Sequence, residues 1–135
     1  MSTHIKDKVE KIEKVIARLV DESMKGIPIV VEGKKDAQTL RELGVTGTII
    51  SAKTGGKSYL EAAGEIEGVA PRQVILLLDF DRRGREGTEF LQRSLERTQI
   101  SVNRKIWLEL KALTGHEIQC IESLFSYLQN LRQKT

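Results

Sequence analysis

The stretch QVILLLDFDRRGRE, residues 73–86, changes character midway. From Val74 to Leu78 every residue is aliphatic, with no polar position to mark a solvent face. That is the pattern of a strand covered on both sides, the usual state of a strand inside a parallel sheet. Two aspartates follow, Asp79 and Asp81, and then three arginines, Arg82, Arg83 and Arg85, around Gly84. In open α/β sheets the working residues gather at the carboxyl ends of strands, so this abrupt cluster of charge marks a candidate site.

The flanking sequence alternates strand and helix patterns. Val9, Ile12, Ile16, Leu19 and Val20 recur at helical spacing among charged residues, and Gly26 stops that helix. IPIVV (27–31) reads as a strand, with Pro28 near its start where a missing N–H is tolerated. KKDAQTLRELG (34–44) is a helix ending at Gly44, GTIISA (47–52) a strand, and SYLEAAGEI (58–66) a helix. REGTEFLQRSLERT (85–98) is a helix presenting Phe90, Leu91 and Leu95, and QISV (99–102) is a short fourth strand. IWLELKALTG and IESLFSYLQNL are helical, with a break at Gly115. The expected fold is α/β, a Rossmann-like four-stranded parallel sheet flanked by helices with right-handed crossovers. One domain, 1–135, has its core at about 27–102 and flanking helices at 4–25 and 104–132.

Composition limits what such a domain does. The 135 residues suffice for one domain and not for two. No apolar run approaches the roughly 20 residues of a membrane span, and the charged start MSTHIKDKVEKIEKV has no signal-peptide core. The lone Cys120 makes a reducing cytoplasm the expected compartment, and two His with one Cys exclude a structural zinc site. The net charge is only +3, but DRRGRE and VNRKIW concentrate it, which suits a polyanionic partner as well as a solvated face.

TGGKS (54–58) invites comparison with a phosphate-binding P-loop, G-x-x-x-x-G-K-[ST]. Ser51 stands where its first glycine belongs, a position that needs glycine for the tight turn, so an NTPase is a remote alternative. Gly55 and Gly56 still let the backbone approach a ligand closely, and Lys53 and Lys57 reach toward a phosphate from the same loop.

The acids are more specific. Residues two apart on a strand point to one side, so Asp79 and Asp81 are expected to project together. Two ionised carboxylates repel, and a divalent cation relieves that repulsion. The alternative is that Asp81 caps the next helix and Asp79 pairs with an arginine. Glu32 directly follows the strand IPIVV and faces the aspartates if the two strands are neighbours. Near a metal, such a carboxylate serves as general acid or base on a phosphodiester. Gly33 lets the chain turn away sharply, and Asp36 is expected to cap the following helix. Lys34, Lys35, Lys53, Lys57, Arg82, Arg83 and Arg85 surround these acids and are the candidate phosphate contacts, with Gly84 at the start of the helix beyond.

VVEGKKDA followed by LLLDFDRRGRE resembles the Toprim domain. Type IA and type II topoisomerases, bacterial primases, OLD-type nucleases and the 5S ribosomal RNA maturase share that domain. Glu32-Gly33 and Asp79-Phe80-Asp81 match its two motifs, each after an expected strand. DFDRRGREG is most similar to the primase form, and EGK-x-D to the maturase. The whole chain resembles small stand-alone archaeal Toprim proteins, which end in an IE-x-L helical segment like IESLFSYL. The resemblance implies Mg²⁺ or Mn²⁺ held by Glu32, Asp79 and Asp81, with Glu32 as general acid/base. Arg83 occupies the place where topoisomerases carry a further acid, and neither Tyr59 nor Tyr127 has the setting of a topoisomerase nucleophile. The expected function is therefore Mg²⁺-dependent nucleic-acid processing, as a nuclease on RNA or DNA. The alternative is a binding module in a replication, repair or RNA-processing complex.

Other residues have plainer roles. Trp107 and Cys120 are expected to pack inside, His116 to lie on the surface, and Leu124, Leu128 and Leu131 to form a core or interface stripe.

Overall fold

The computed structural model describes residues 3–135; Met1 and Ser2, which the expected 1–135 domain includes, lie outside the described residues. Helix α1 (Thr3–Met24) leads into strand β1 (Ile29–Val31), helix α2 (Lys34–Glu42), strand β2 (Ile49–Ser51) and helix α3 (Tyr59–Val69). Strand β3 (Gln73–Leu76), helix α4 (Arg82–Arg97), strand β4 (Ser101–Asn103) and helices α5 (Lys105–Thr114) and α6 (Leu124–Arg132) complete the chain. Single 3-10 turns span Thr54–Gly56 and Ile121–Ser123.

The four strands form one all-parallel sheet in the order β2-β1-β3-β4, a Rossmann-like arrangement. Ile29 pairs with Ile49 on one side and Ile75 on the other, so β1 is internal. Each strand is short, yet β1 and β3 are almost wholly buried because alternate residues serve opposite layers. Ile29, Val31, Ile75 and Leu77 join the core beneath α1, α2, α5 and α6. Val30, Val74, Leu76 and Leu78 join the core beneath α3 and α4. Each such aliphatic side chain contributes about 1.5–3 kcal/mol on full burial, which offsets the few ladder hydrogen bonds that three-residue strands can make.

The helices cover the sheet as their patterns dictate. Val9, Ile12, Val15, Ile16 and Leu19 form the buried stripe of α1. Leu124 and Leu128 of α6 and Trp107 of α5 fill the same layer, and Leu131 packs against it. The indole N–H of Trp107 donates to Leu78 O at 2.8 Å, and its ring meets Phe80 with centroids 6.1 Å apart. His116 is exposed as expected, whereas Cys120 is only partly buried, with Sγ 3.3 Å from Ser123 Oγ. Among the described residues no helix is long and apolar enough to cross a membrane.

The strand order creates a switch point. From β1 the chain crosses to β2 on one side, and β3 lies on the other. Crossovers diverging in this way leave a crevice at the carboxyl ends of the two central strands. Glu32 follows β1 directly and Asp79 lies three residues beyond β3. The C-terminal segment returns to this edge: the Phe80 N–H donates to Gln119 O at 2.7 Å, and Thr39 Oγ1 donates to Glu122 O at 3.1 Å.

Candidate functional site

Glu32 is half-buried at the end of a fully buried strand. Its backbone is fixed by the Lys53 N–H, which donates to Glu32 O at 2.9 Å. Its side chain is fixed by the hydroxyl of Tyr59, which donates to Oε1. Oε2 is buried with no hydrogen-bond partner. A buried carboxylate oxygen left unsatisfied costs free energy, so this atom calls for a donor or a cation from outside the chain.

Asp79 lies on the same edge. Burial, then the negative charges of Asp36 and Glu32, push its carboxyl up to about 7, while a weak hydrogen bond from the Ile121 N–H at 3.4 Å opposes the rise. Among the described residues no ion pair engages Glu32, Asp36, Asp79 or Asp81. The arginine partner considered for Asp79 is therefore not found. An excess of negative charge remains, and it either holds a proton near neutral pH or attracts a cation.

Asp36 enters this cluster from the first turn of α2. It is buried, with Oδ2 accepting from the Gly33 N–H and Oδ1 from the Glu122 N–H, each at 2.8 Å. Burial raises its pKa and the two amides counteract that. Its capping role is realised from inside the helix, back to the Gly33 amide. The chain does bend at Glu32 and Gly33 as expected, but the bend does not require glycine. The Gly33 backbone is extended, at φ −146°, and an added Cβ would make only ordinary contacts.

The second aspartate of D-x-D corrects the expected pairing. Strand β3 ends at Leu76, so Asp79 and Asp81 do not share a strand face. Asp81 is exposed and caps α4, with Oδ1 accepting from the Gly84 N–H at 2.8 Å. That cap starts the helix at Arg82, three residues before the expected Arg85. Gly84 is needed for packing: a Cβ there would overlap the backbone carbonyl of Asp79. Among the described residues no three His, Cys, Asp or Glu side chains form a ready ligand cluster. Mg²⁺ commonly takes only one or two protein carboxylates and keeps several waters, which Glu32 and Asp79 suit. Asp81 adds charge nearby, with one oxygen already committed to the cap.

Tyr59 is the residue that sequence reasoning missed. It opens α3 behind Ser58, whose Oγ accepts from the Glu61 N–H at 3.1 Å. Its hydroxyl also lies 3.3 Å from Arg83 O, and the Lys53 ammonium sits 4.4 Å from its ring centroid. Burial first, then the bond to Glu32, push the phenol pKa upward, so it stays a donor. One signal was available. Gly87 lies inside α4, where glycine costs roughly 1 kcal/mol relative to alanine, and that cost flags a close approach. A Cβ at Gly87 would overlap the Tyr59 ring.

The basic residues divide. Lys34 and Lys35 are found in the first turn of α2, and Lys53 stands beside Tyr59. Arg83 is exposed at the start of α4. Arg85 Nη1 donates to Phe80 O at 2.9 Å and braces the loop. Lys57 pairs with Glu65 at 2.6 Å and Arg82 with Glu86 at 3.3 Å. Exposed pairs such as Arg82–Glu86 contribute only about 0–1 kcal/mol, so a phosphate can displace them. Gly55 and Gly56 adopt φ of +79° and +77°, the turn conformation expected of them.

Surface grooves lie elsewhere as well. One of about 390 Å³ is lined by Ile16, Val20, Leu43 and Leu128. Glu13, Asp21, Glu42 and Arg132 line it as well, but among the described residues no buried side-chain oxygen there is left without a partner, and a polymer backbone needs no enclosed cavity. The site is therefore assigned to the acidic edge.

The chain is 45% identical over 120 residues to a UPF0292 protein of Methanocaldococcus jannaschii, covering 88% of this chain and 91% of that protein. It is 31% identical over 129 residues to a UPF0292 protein of Methanosarcina acetivorans, covering 95% and 87%. Both relatives are archaeal, in keeping with the archaeal part of the resemblance. A solved structure of a protein from Aquifex aeolicus is similar at a TM-score of 0.66 and 27% identity, covering 82% of this chain and 94% of that one. No family model matches the chain. On the extent and identity of these matches, the chain belongs to the UPF0292 family.

Proposed function

We propose that this chain is a Mg²⁺- or Mn²⁺-dependent nucleic-acid-processing protein of the Toprim type, cutting phosphodiester bonds in RNA or DNA. The observation that carries the reading is Glu32 Oε2, buried and without a partner at the switch point, beside an Asp79 with no cationic partner. Glu32 and Asp79 would hold the ion, with Asp81 supplying further negative charge. A bound divalent ion withdraws charge from phosphoryl oxygens and favours their attack.

The remaining work falls to the chain's own groups. Glu32 contributes Oε2 alone, since Oε1 is committed to Tyr59, and an oxygen that holds the ion does not also carry the proton. Lys34, Lys35, Lys53 and Arg83 bind backbone phosphates along the edge. The N-termini of α2 and α4 open on the same side and favour anions there. The lone thiol keeps the cytoplasm as the proposed compartment.

Binding without cleavage is the second reading. It is favoured by the commitment of Asp81 to its cap and by the lack of a three-residue ligand cluster among the described residues. One experiment separates the two. The protein is incubated with labelled transfer RNA, ribosomal RNA fragments, single-stranded DNA and supercoiled plasmid, with and without Mg²⁺ or Mn²⁺. Metal-dependent cleavage by the parent, lost in Glu32→Gln, is the expected result. Salt-dependent binding with every substrate left intact would assign the chain to the second reading.

A further inference from the structure

We propose that Tyr59 is a positioning residue for Glu32: it engages Oε1 so that Oε2 is the oxygen presented to the metal. This rests on the metal reading above and adds to it a residue outside the D-x-D and Glu-Gly motifs. Tyr59 is the one side chain hydrogen-bonded to the Glu32 carboxylate among the described residues. It selects between two chemically equal oxygens, leaving one bound and the other buried and open.

Tyr59 is itself held on three sides. Ser58 caps the helix it opens, Lys53 lies over its ring, and the absence of a side chain at Gly87 makes room for that ring against α4. Its hydroxyl therefore meets Glu32 from a fixed direction and links β1, α3 and α4 around one carboxylate. A core tyrosine that merely satisfied its own hydroxyl could use the Arg83 carbonyl, 3.3 Å away. Here its single hydrogen goes instead to the carboxylate, the stronger, charge-assisted partner. Residues that orient metal ligands in this way typically change metal affinity by about 10–100-fold when removed.

The test measures Mn²⁺ binding by titration calorimetry, without any substrate. Tyr59→Phe keeps the ring and its packing against Gly87 and removes only the hydroxyl. The expected result is Mn²⁺ affinity roughly tenfold below the parent, at the low end of that range, with native circular dichroism retained. Gly87→Ala, which pushes the ring aside, should weaken Mn²⁺ binding when made in the parent. Added to Tyr59→Phe, it should have no further effect. A purely structural tyrosine would lower the melting temperature and leave the affinity of the folded protein alone. Parent and Tyr59→Phe binding Mn²⁺ within twofold of one another would overturn the role of Tyr59 and leave the metal site standing. A parent that binds no Mn²⁺ would overturn both.

Discussion

The backbone N–H of Glu122 donates to Asp36 Oδ1 at 2.8 Å, joining residues 86 positions apart. Through this bond the C-terminal segment closes on the acidic edge, where Ile121 also reaches Asp79. Asp36→Ala would leave the amides of Gly33 and Glu122 without their acceptor. Both hydrogen bonds are part-buried, so at about 0.5–1.5 kcal/mol for each the loss should be roughly 1–3 kcal/mol in urea unfolding. A loss below about 1 kcal/mol would show that water replaces the carboxylate and that the latch is dispensable.

The carboxyl of Asp79 should make the metal-free protein less stable as pH rises. Its folded pKa of about 7 lies above the ordinary value of 3.8. Between those values the folded state holds a proton that the unfolded state has released, so stability falls with increasing pH and the loss is complete above about 7. Asp36 is raised as well and acts in the same direction. In chelator, the melting temperature should be higher at pH 5 than at pH 8. Asp79→Asn should flatten that dependence and melt above the parent at pH 8. An unchanged slope in the mutant would assign the effect to other groups.

On the proposed reading, Lys53 and Arg83 contact a nucleic-acid backbone. Replacing either with alanine should weaken RNA or DNA binding and reduce the slope of log affinity against log salt by about one. Lys25, at the far end of α1, pairs with Glu22 and serves as the control. Equal losses in all three variants would point to a diffuse charge effect with no defined track.

The sheet was legible because its central strands are almost wholly aliphatic, Ile29 to Val31 in β1 and Val74 to Leu76 in β3. Glu32 was legible from the same logic, as the first charge after a buried run. The fate of Asp81 was not. The D-x-D spacing reads as one strand face only if the strand continues, whereas β3 ends at Leu76 and the Gly84 amide recruits Asp81 as a cap. Asp36 belonged to the acidic cluster through the Glu122 amide, far along the chain, which no local pattern signals. Tyr59 came to Glu32 through tertiary packing against Gly87, and the glycine inside a helix was the only trace of it. Cys120, expected inside, lies next to the 3-10 turn that begins at Ile121 and remains partly exposed.

Glu32 and Asp79 are proposed to form a divalent-metal site, and the decisive experiment is a titration of Mn²⁺ into the parent, Glu32→Gln and Asp79→Asn at pH 8. The parent should bind saturably and each variant about tenfold more weakly or worse, with both variants folded. Saturable binding of equal strength in all three proteins, or none in the parent, would contradict that assignment.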